Sequence, residues 1–360
     1  MKDKLEDRSL AYRPQLDSLR AIAVTMVIYS HFWDRQSTLG EYGVRVFFLL
    51  SGFLLTGILL DERERHPDKG DRPRLIRNFY LRRILRIWPA YFLTVVILVA
   101  TNAGGVLDTL PWHLFFATNI LFVVTQSWYP SITDHLWTLS VEEQFYLGLP
   151  VLLLFIGRSW LRHVLVGLIA LAILFRLAAL SFPGDPGIYF ILPIAQFDAL
   201  AGGALLALIQ RQRGPINWLR LLAWSLPLAL IASWTQLPDW IDFPLVEAVR
   251  LLPVAALVAG CSSGIGGPVG SFLGNRWLVA MGRLSYGIYL FHPLTAGAYV
   301  RASPLFGLPQ FAYGPGGFLI DLIGTILVAV ISWFVIERPA LALKRRWSSR
   351  SGPQIPLEGI

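Results

Sequence analysis

Apolar runs of about 17–25 residues recur along the whole chain, and no other feature constrains its fold so tightly. A bilayer offers no water to backbone N–H and C=O groups, so segments of that length must be helical. Of 360 residues, 55% are hydrophobic and 15% are charged. A soluble domain carries about 25% charged residues. The expected fold class is all-α, a polytopic helical membrane protein with about ten transmembrane helices. The spans read as about 15–34, 44–61, 79–101, 136–156, 162–181, 188–209, 218–236, 245–261, 278–298 and 317–336. The stretch 111–125 is short and is expected to form a re-entrant or interfacial helix on the outer side. No cleavable leader is expected, because the first span lacks a small-residue cleavage site and leads directly into another span.

The formal charge is +8. In a soluble chain this would point to nucleic acid; here the positive-inside rule accounts for it, and nucleic acid is not an expected partner. With the N-terminus in the cytoplasm, 25 of the 31 Lys and Arg residues fall in cytoplasmic segments. Arg20, Arg176 and Arg250 lie within spans, and Arg35, Arg45 and Arg301 at or near the outer face. The connection 102–135 has neither Lys nor Arg. Were 111–125 to cross, every later loop would invert. Both termini are therefore expected in the cytoplasm of a multi-pass inner-membrane protein. Residues 1–345 read as one membrane-embedded domain and 346–360 as a short basic tail. Trp112, Trp128 and Trp240 fall where an interfacial belt would place them. The single cysteine, Cys261, excludes an internal disulfide and reads as a small structural residue.

The first span carries Asp17, Arg20 and His31 in LDSLRAIAVTMVIYSHFW. Ionisable side chains in a bilayer are costly and are usually paired or functional. Eleven helical steps leave Arg20 and His31 roughly 20° apart around the axis and about 16 Å apart along it. One face of one helix thus holds an acid, a cation and, deeper in, an imidazole.

The basic loop before span three reads as topogenic from Arg63 to Arg77. Arg82, Arg83 and Arg86 differ, because they sit where the helix enters the bilayer and two of them share a face. Arginine's planar fork suits phosphate, so the cluster is a candidate site for a phosphorylated donor. Ser51 and Gly52 form a small-residue patch in span two, expected to let helices approach closely; Phe47, Phe48 and Phe53 read as packing. In HLWTLSVEEQFYLGLP, Ser140 to Glu143 fits a capping box. A helix beginning near Leu136 would instead bury Glu142 and Glu143 two turns in. Glu142 is then expected at a depth comparable to His31, orienting it and raising its basicity. Asp198 and Glu337 are expected to pair structurally with arginine. His292, in SYGIYLFHPL with Ser285, Tyr286 and Tyr289, reads equally as a packed histidine or a second catalytic or substrate-contacting residue. The chain contains no P-loop, metal-ligand spacing, GxSxG elbow or GxGxxG motif.

Seven strings occur in order from residue 13 to about 339: LDSLRAIAV with SHFW, GVRVFFLLSGFL, RRILRIWPAY, LWTLSVEEQFY, FDALAGG, SYGIYLFHPL and FVIERP. Together they resemble the acyltransferase-3 family of integral membrane O-acyltransferases. The resemblance implies transfer of an acyl group, usually acetyl from acetyl-CoA, to a glycan or another hydroxyl-bearing acceptor. Arg20 and His31 match the family's Arg/Lys-x10-His pattern. Arg83 and Arg86 match its R-x-x-R pattern, with Tyr91 following. Glu142 matches the glutamate of W-S-L-S-x-E, where this chain has Thr138 for the first serine. Many relatives carry a fused extracytoplasmic esterase-like domain that is not expected here; acceptor acylation is then completed alone or with a separate extracytoplasmic acyl-transfer protein.

The expected mechanism places the donor phosphates at Arg82, Arg83 and Arg86, with Arg20 nearby. The pantetheine arm rises through a polar cavity, and the thioester reaches His31. That residue serves as general base or as transient acyl carrier, oriented by Glu142. Asp17, Ser51, Glu143, Tyr91, Asp198, Tyr289, His292 and Glu337 are candidate substrate-contacting or supporting residues. No permanently bound cofactor and no metal are expected; acyl-CoA is a donor substrate. Partners are a glycan or lipid-linked saccharide and the bilayer. The alternative function is a transporter or flippase of a glycolipid or small metabolite, which buried charges and kinked helices would equally suit.

Overall fold

The computed structural model describes residues 13–235, 237–307, 309 and 314–348. The basic residues Lys2, Lys4 and Arg8, and residues 349–360 of the expected tail, lie outside the described residues. Among the described residues every regular element is helical. The principal helices are α1 (Pro14–Phe32), α2 (Leu39–Arg65), α3 (Arg72–Ala100), α4 (Leu110–Leu114), α5 (Thr118–Thr125), α6 (Trp137–Phe155), α7 (Arg158–Ala179) and α8 (Phe197–Arg213). They are followed by α9 (Trp218–Trp234), α10 (Glu247–Ser263), α11 (Gly267–Leu273), α12 (Arg276–Arg283), α13 (Ser285–Ala302), α14 (Pro315–Ser332) and α15 (Arg338–Ser348).

Among the described residues six helical stretches are long and apolar enough to cross a membrane: Leu39–Arg65, Lys69–Ala100, Arg158–Ala179, Pro193–Arg213, Asp242–Ser263 and Pro315–Leu343. The other four expected spans also fall on helices, α1, α6, α9 and the pair α12–α13. Three of these carry polar or ionisable residues inside the bundle, and that lowers their hydropathy. Two expected spans differ in detail. Residues 188–196 are short turns, and the regular helix starts at Phe197. The span expected at 278–298 is broken at Leu284 into α12 and α13. The stretch 111–125 forms two short helices of 5 and 8 residues, α4 and α5, and neither approaches bilayer thickness.

Helix α2 is the centre of the bundle. A side chain on Gly52 would collide with the Leu200 carbonyl of α8, and one on Gly203 with the Leu49 carbonyl of α2. Glycine on both helices is what lets these backbones touch, as the small-residue patch implied. Helices α1 and α2 run antiparallel: Gly40 lies against Ser30, and Gly43 against Ala23 and Val27. This register sets depth. Ser51 is eight residues beyond Gly43, about 12 Å further toward the Arg20 end of α1.

Helix α1 opens with Pro14 in its first turn and Asp17 close behind, and His31 sits in its last turn. The proline and the acid suit the helix start they occupy. Helix α6 begins at Trp137. The Ser140 hydroxyl contacts Leu136 O and Thr118 Oγ1, so it does not act as the cap of a capping box.

Candidate active site

A cavity with about 700 Å³ of atom-free space, part of it open to solvent, lies between α1, α2, α3, α6 and α13. Arg20, Arg83, Arg86 and Glu142 supply its charged lining, and Ser51, Thr138, Tyr286 and Tyr289 line it too. Phe47 and Phe48, read from sequence as packing, are in its wall.

The three lining arginines are held differently. Arg20 pairs with Asp17 at 3.3 Å on its own helix. Arg86 lies 3.7 Å from Glu337 and over the Trp333 ring. Arg83 makes no ion pair among the described residues; its guanidinium stands 6.0 Å from the centroid of the Tyr146 ring. Arg82 does not share this arrangement. It pairs with Glu62 at 3.4 Å and is not among the cavity-lining residues, which narrows the expected cluster to Arg20, Arg83 and Arg86. An i, i+1 pair points to different sides of a helix, so Arg82 and Arg83 could not both face the cavity.

Glu142 is not the partner of His31. Its carboxylate accepts hydrogen bonds from Ser51 and Tyr146, each at 2.8 Å. Bonding to Ser51 places it at the Arg20 end of α1, well below His31. Counting residues from the start of α6 gave too shallow a position, because the register of α6 against α2 was not visible in sequence. His31 is oriented by its own helix instead, with Nδ1 3.0 Å from the Val27 carbonyl. In the neutral ring Nδ1 must then carry the proton, and Nε2 keeps a free lone pair.

His31 sits in a histidine cluster. Its ring centroid is 4.8 Å from that of His292, and His292 is 5.0 Å from His135. His292 Nδ1 is 2.6 Å from Tyr289 O, so its Nε2 is also the unprotonated nitrogen. His135 is a residue that sequence reasoning passed over. It opens the string HLWTL, and a histidine at the mouth of a span was a signal that could have found it. Asp134 precedes it, 3.9 Å from His135 Nδ1. Burial pushes the Asp134 carboxyl above its ordinary range, opposed chiefly by the nearby His31.

Other candidates have supporting positions. Tyr91 donates to His113 O at 2.9 Å and stacks on Phe116, so it anchors α4 rather than facing the cavity. Burial lowers the His113 pKa to about 4. Glu143 accepts from Trp88 Nε1 at 3.4 Å. Glu337 meets Arg86, as expected of a structural pair.

Asp198 belongs to a separate buried cluster. It accepts from Arg45 at 2.6 Å and meets Arg176. Arg45 also reaches Glu247, which pairs with Arg250, which in turn meets Asp242. Arg45, expected near the outer face, is only 4% exposed, and Arg176 is fully buried. Sequence reading named Asp198 but not this network, because its members come from α2, α7, α8, α10 and the turn Asp242–Val246 that precedes α10.

A family model described as an acyltransferase domain matches residues 13–337. The chain belongs to the acyltransferase-3 family. A Bacillus subtilis protein named "Putative peptidoglycan O-acetyltransferase YrhL" is 30% identical over 91% of this chain and 55% of its own length. The peptidoglycan O-acetyltransferase OatA of Listeria monocytogenes is 28% identical over 92% of the chain and 56% of its own length. The chain thus spans little more than half the length of these relatives. No solved structure matches it.

Proposed function

We propose that this chain is a membrane O-acyltransferase that moves an acetyl group from acetyl-CoA to a hydroxyl of a cell-surface glycan. The named relatives make peptidoglycan the first acceptor to try. One observation carries the reading: Arg20, Arg83 and Arg86 face a single cavity, and Arg83 makes no ion pair among the described residues. Such a set suits the phosphates of a CoA donor. The proposal includes ten crossings of the inner membrane, cytoplasmic termini, and α4–α5 on the outer side. Arg83 and Arg86 then face the compartment that holds CoA, and His31 faces the glycan.

In this mechanism His31 Nε2 takes the proton of the acceptor hydroxyl as its oxygen attacks the thioester carbon. The C–S bond breaks, the thiolate receives that proton, and CoA leaves as the free thiol. Purified protein given acetyl-CoA and a glycan fragment should release free thiol and add one acetyl group per thiol to the glycan. Glycolipid movement in proteoliposomes without thiol release would instead identify a transporter. For topology, Asn102→Cys and Ser131→Cys, each in a Cys261→Ala background, should both react with an impermeant thiol reagent added to spheroplasts. Labelling of one alone would mean that the segment between them crosses.

A further inference from the structure

The arginine-lined cavity stops short of the histidines. Tyr289, Thr138 and Phe47 line it, whereas His31, His135 and His292 do not. Tyr289 stands between the two. Its ring centroid is 5.6 Å from His135 and 5.7 Å from His292, and its other side meets Phe47 edge-on at 6.2 Å. The hydroxyl is held at the start of α6: it donates to His135 O, in the turn just before that helix, at 2.8 Å and is 2.7 Å from Thr138 Oγ1. The two segments show the same step. On α13 the cavity residue Tyr289 is followed one turn later by His292, and the cavity residue Thr138 of α6 is preceded by His135 in the short turn Ser131–Leu136 that leads into that helix.

The backbone beneath this ring is loosened. Pro293 lies inside α13 and has no N–H to give to the Tyr289 carbonyl four residues before it. That carbonyl accepts the His292 imidazole instead. The ring is therefore latched by side-chain hydrogen bonds on a turn of helix that lacks one of its own.

We infer that Tyr289 is the gate between the donor cavity and the histidine cluster, and that its ring, closed against Phe47, limits the acyl group that can pass to one of acetyl size. The inference rests on the acyl-CoA reading above. In this reading a thioester held by Arg83 and Arg86 passes the Tyr289 ring on its way to the histidines. A short acyl group needs a small displacement of the ring; a longer one needs the ring removed.

The test is turnover of acetyl-, butyryl- and hexanoyl-CoA by the purified full chain, read as thiol release and compared as ratios of kcat/KM. The unaltered protein should favour acetyl-CoA. Tyr289→Ala should raise the butyryl-to-acetyl ratio by about tenfold or more, the scale on which a pocket senses added methylenes. Tyr289→Phe keeps the ring but not the latch, so it should change kcat and leave the ratio near that of the unaltered protein. Should Tyr289→Ala fail to accumulate, Phe47→Ala opens the same constriction and is read in the same way. An unchanged ratio in a well-folded Ala variant overturns the gate alone. No thiol release from any ester by the unaltered protein overturns the donor reading, and the gate with it.

Discussion

Two groups of arginines lie inside this helical bundle, and they are treated in opposite ways. In the cluster around Asp198, Arg45, Arg176 and Arg250 each meet a carboxylate, and Arg45 and Arg250 each meet two. In the cavity, Arg20 and Arg86 have single partners at 3.3 and 3.7 Å, Arg83 makes no ion pair among the described residues, and Glu142 is bonded to hydroxyls. A buried charge that is fully answered by its own protein holds helices together. A charge left partly unanswered beside a cavity is set to answer something that enters. Arginine count alone does not separate the two cases; the carboxylates facing each guanidinium do.

The contrast breaks most visibly at Asp198. Replacing it with Ala leaves Arg45 and Arg176 buried beside each other without their shared anion. Removing one partner of a buried pair costs about 3–5 kcal/mol. Asp198→Ala should therefore cut the yield and thermal midpoint of monodisperse protein sharply. A midpoint equal to that of the unaltered protein would remove the cluster's structural role.

His31→Ala should do the reverse, leaving the midpoint unchanged. Loss of a general base typically costs about 10²–10⁴-fold in rate, read here as acceptor acetylation. Activity near that of the unaltered protein would pass the base role to His292, whose Nε2 has no hydrogen-bond partner among the described residues.

A smaller effect is expected at α4. His113 is fully buried, and burial holds its pKa at about 4, below the ordinary 6.5. The unfolded segment binds a proton below pH 6.5 and the folded one does not, so stability is full above pH 6.5 and is lost as pH falls toward 4. The thermal midpoint should fall modestly between pH 6.5 and 5, and this drop should be absent in His113→Gln. A midpoint flat across that range in the unaltered protein would contradict it.

Much of the fold was legible because a bilayer permits only helices of a certain length. Apolar runs located α14 to within a few residues and the apolar parts of α2 and α3, which begin five and seven residues earlier than expected, and the spacing from Arg20 to His31 placed both on one helix. What sequence could not supply was register between helices. Glu142 lies two turns into α6, but only its bond to Ser51 shows which end of α1 it faces. The network around Asp198 joins residues over two hundred positions apart. Arg82 and Arg83 looked alike in sequence and part company once α2 supplies Glu62 to the first. His135 was hidden for a similar reason, since its nearness to His292 depends on how the turn leading into α6 packs on α13.

Binding of CoA to the purified protein tests the central claim most directly, with Arg83→Ala and Arg82→Ala compared side by side. A hydrogen bond to a charged group contributes about 1.5–3 kcal/mol, so losing Arg83 should weaken CoA binding by about tenfold or more. Arg82→Ala, whose guanidinium answers Glu62 outside the cavity, should bind CoA nearly as well as the unaltered protein. Equal loss in both variants, or none in Arg83→Ala, would contradict the assignment of the cavity arginines to the donor.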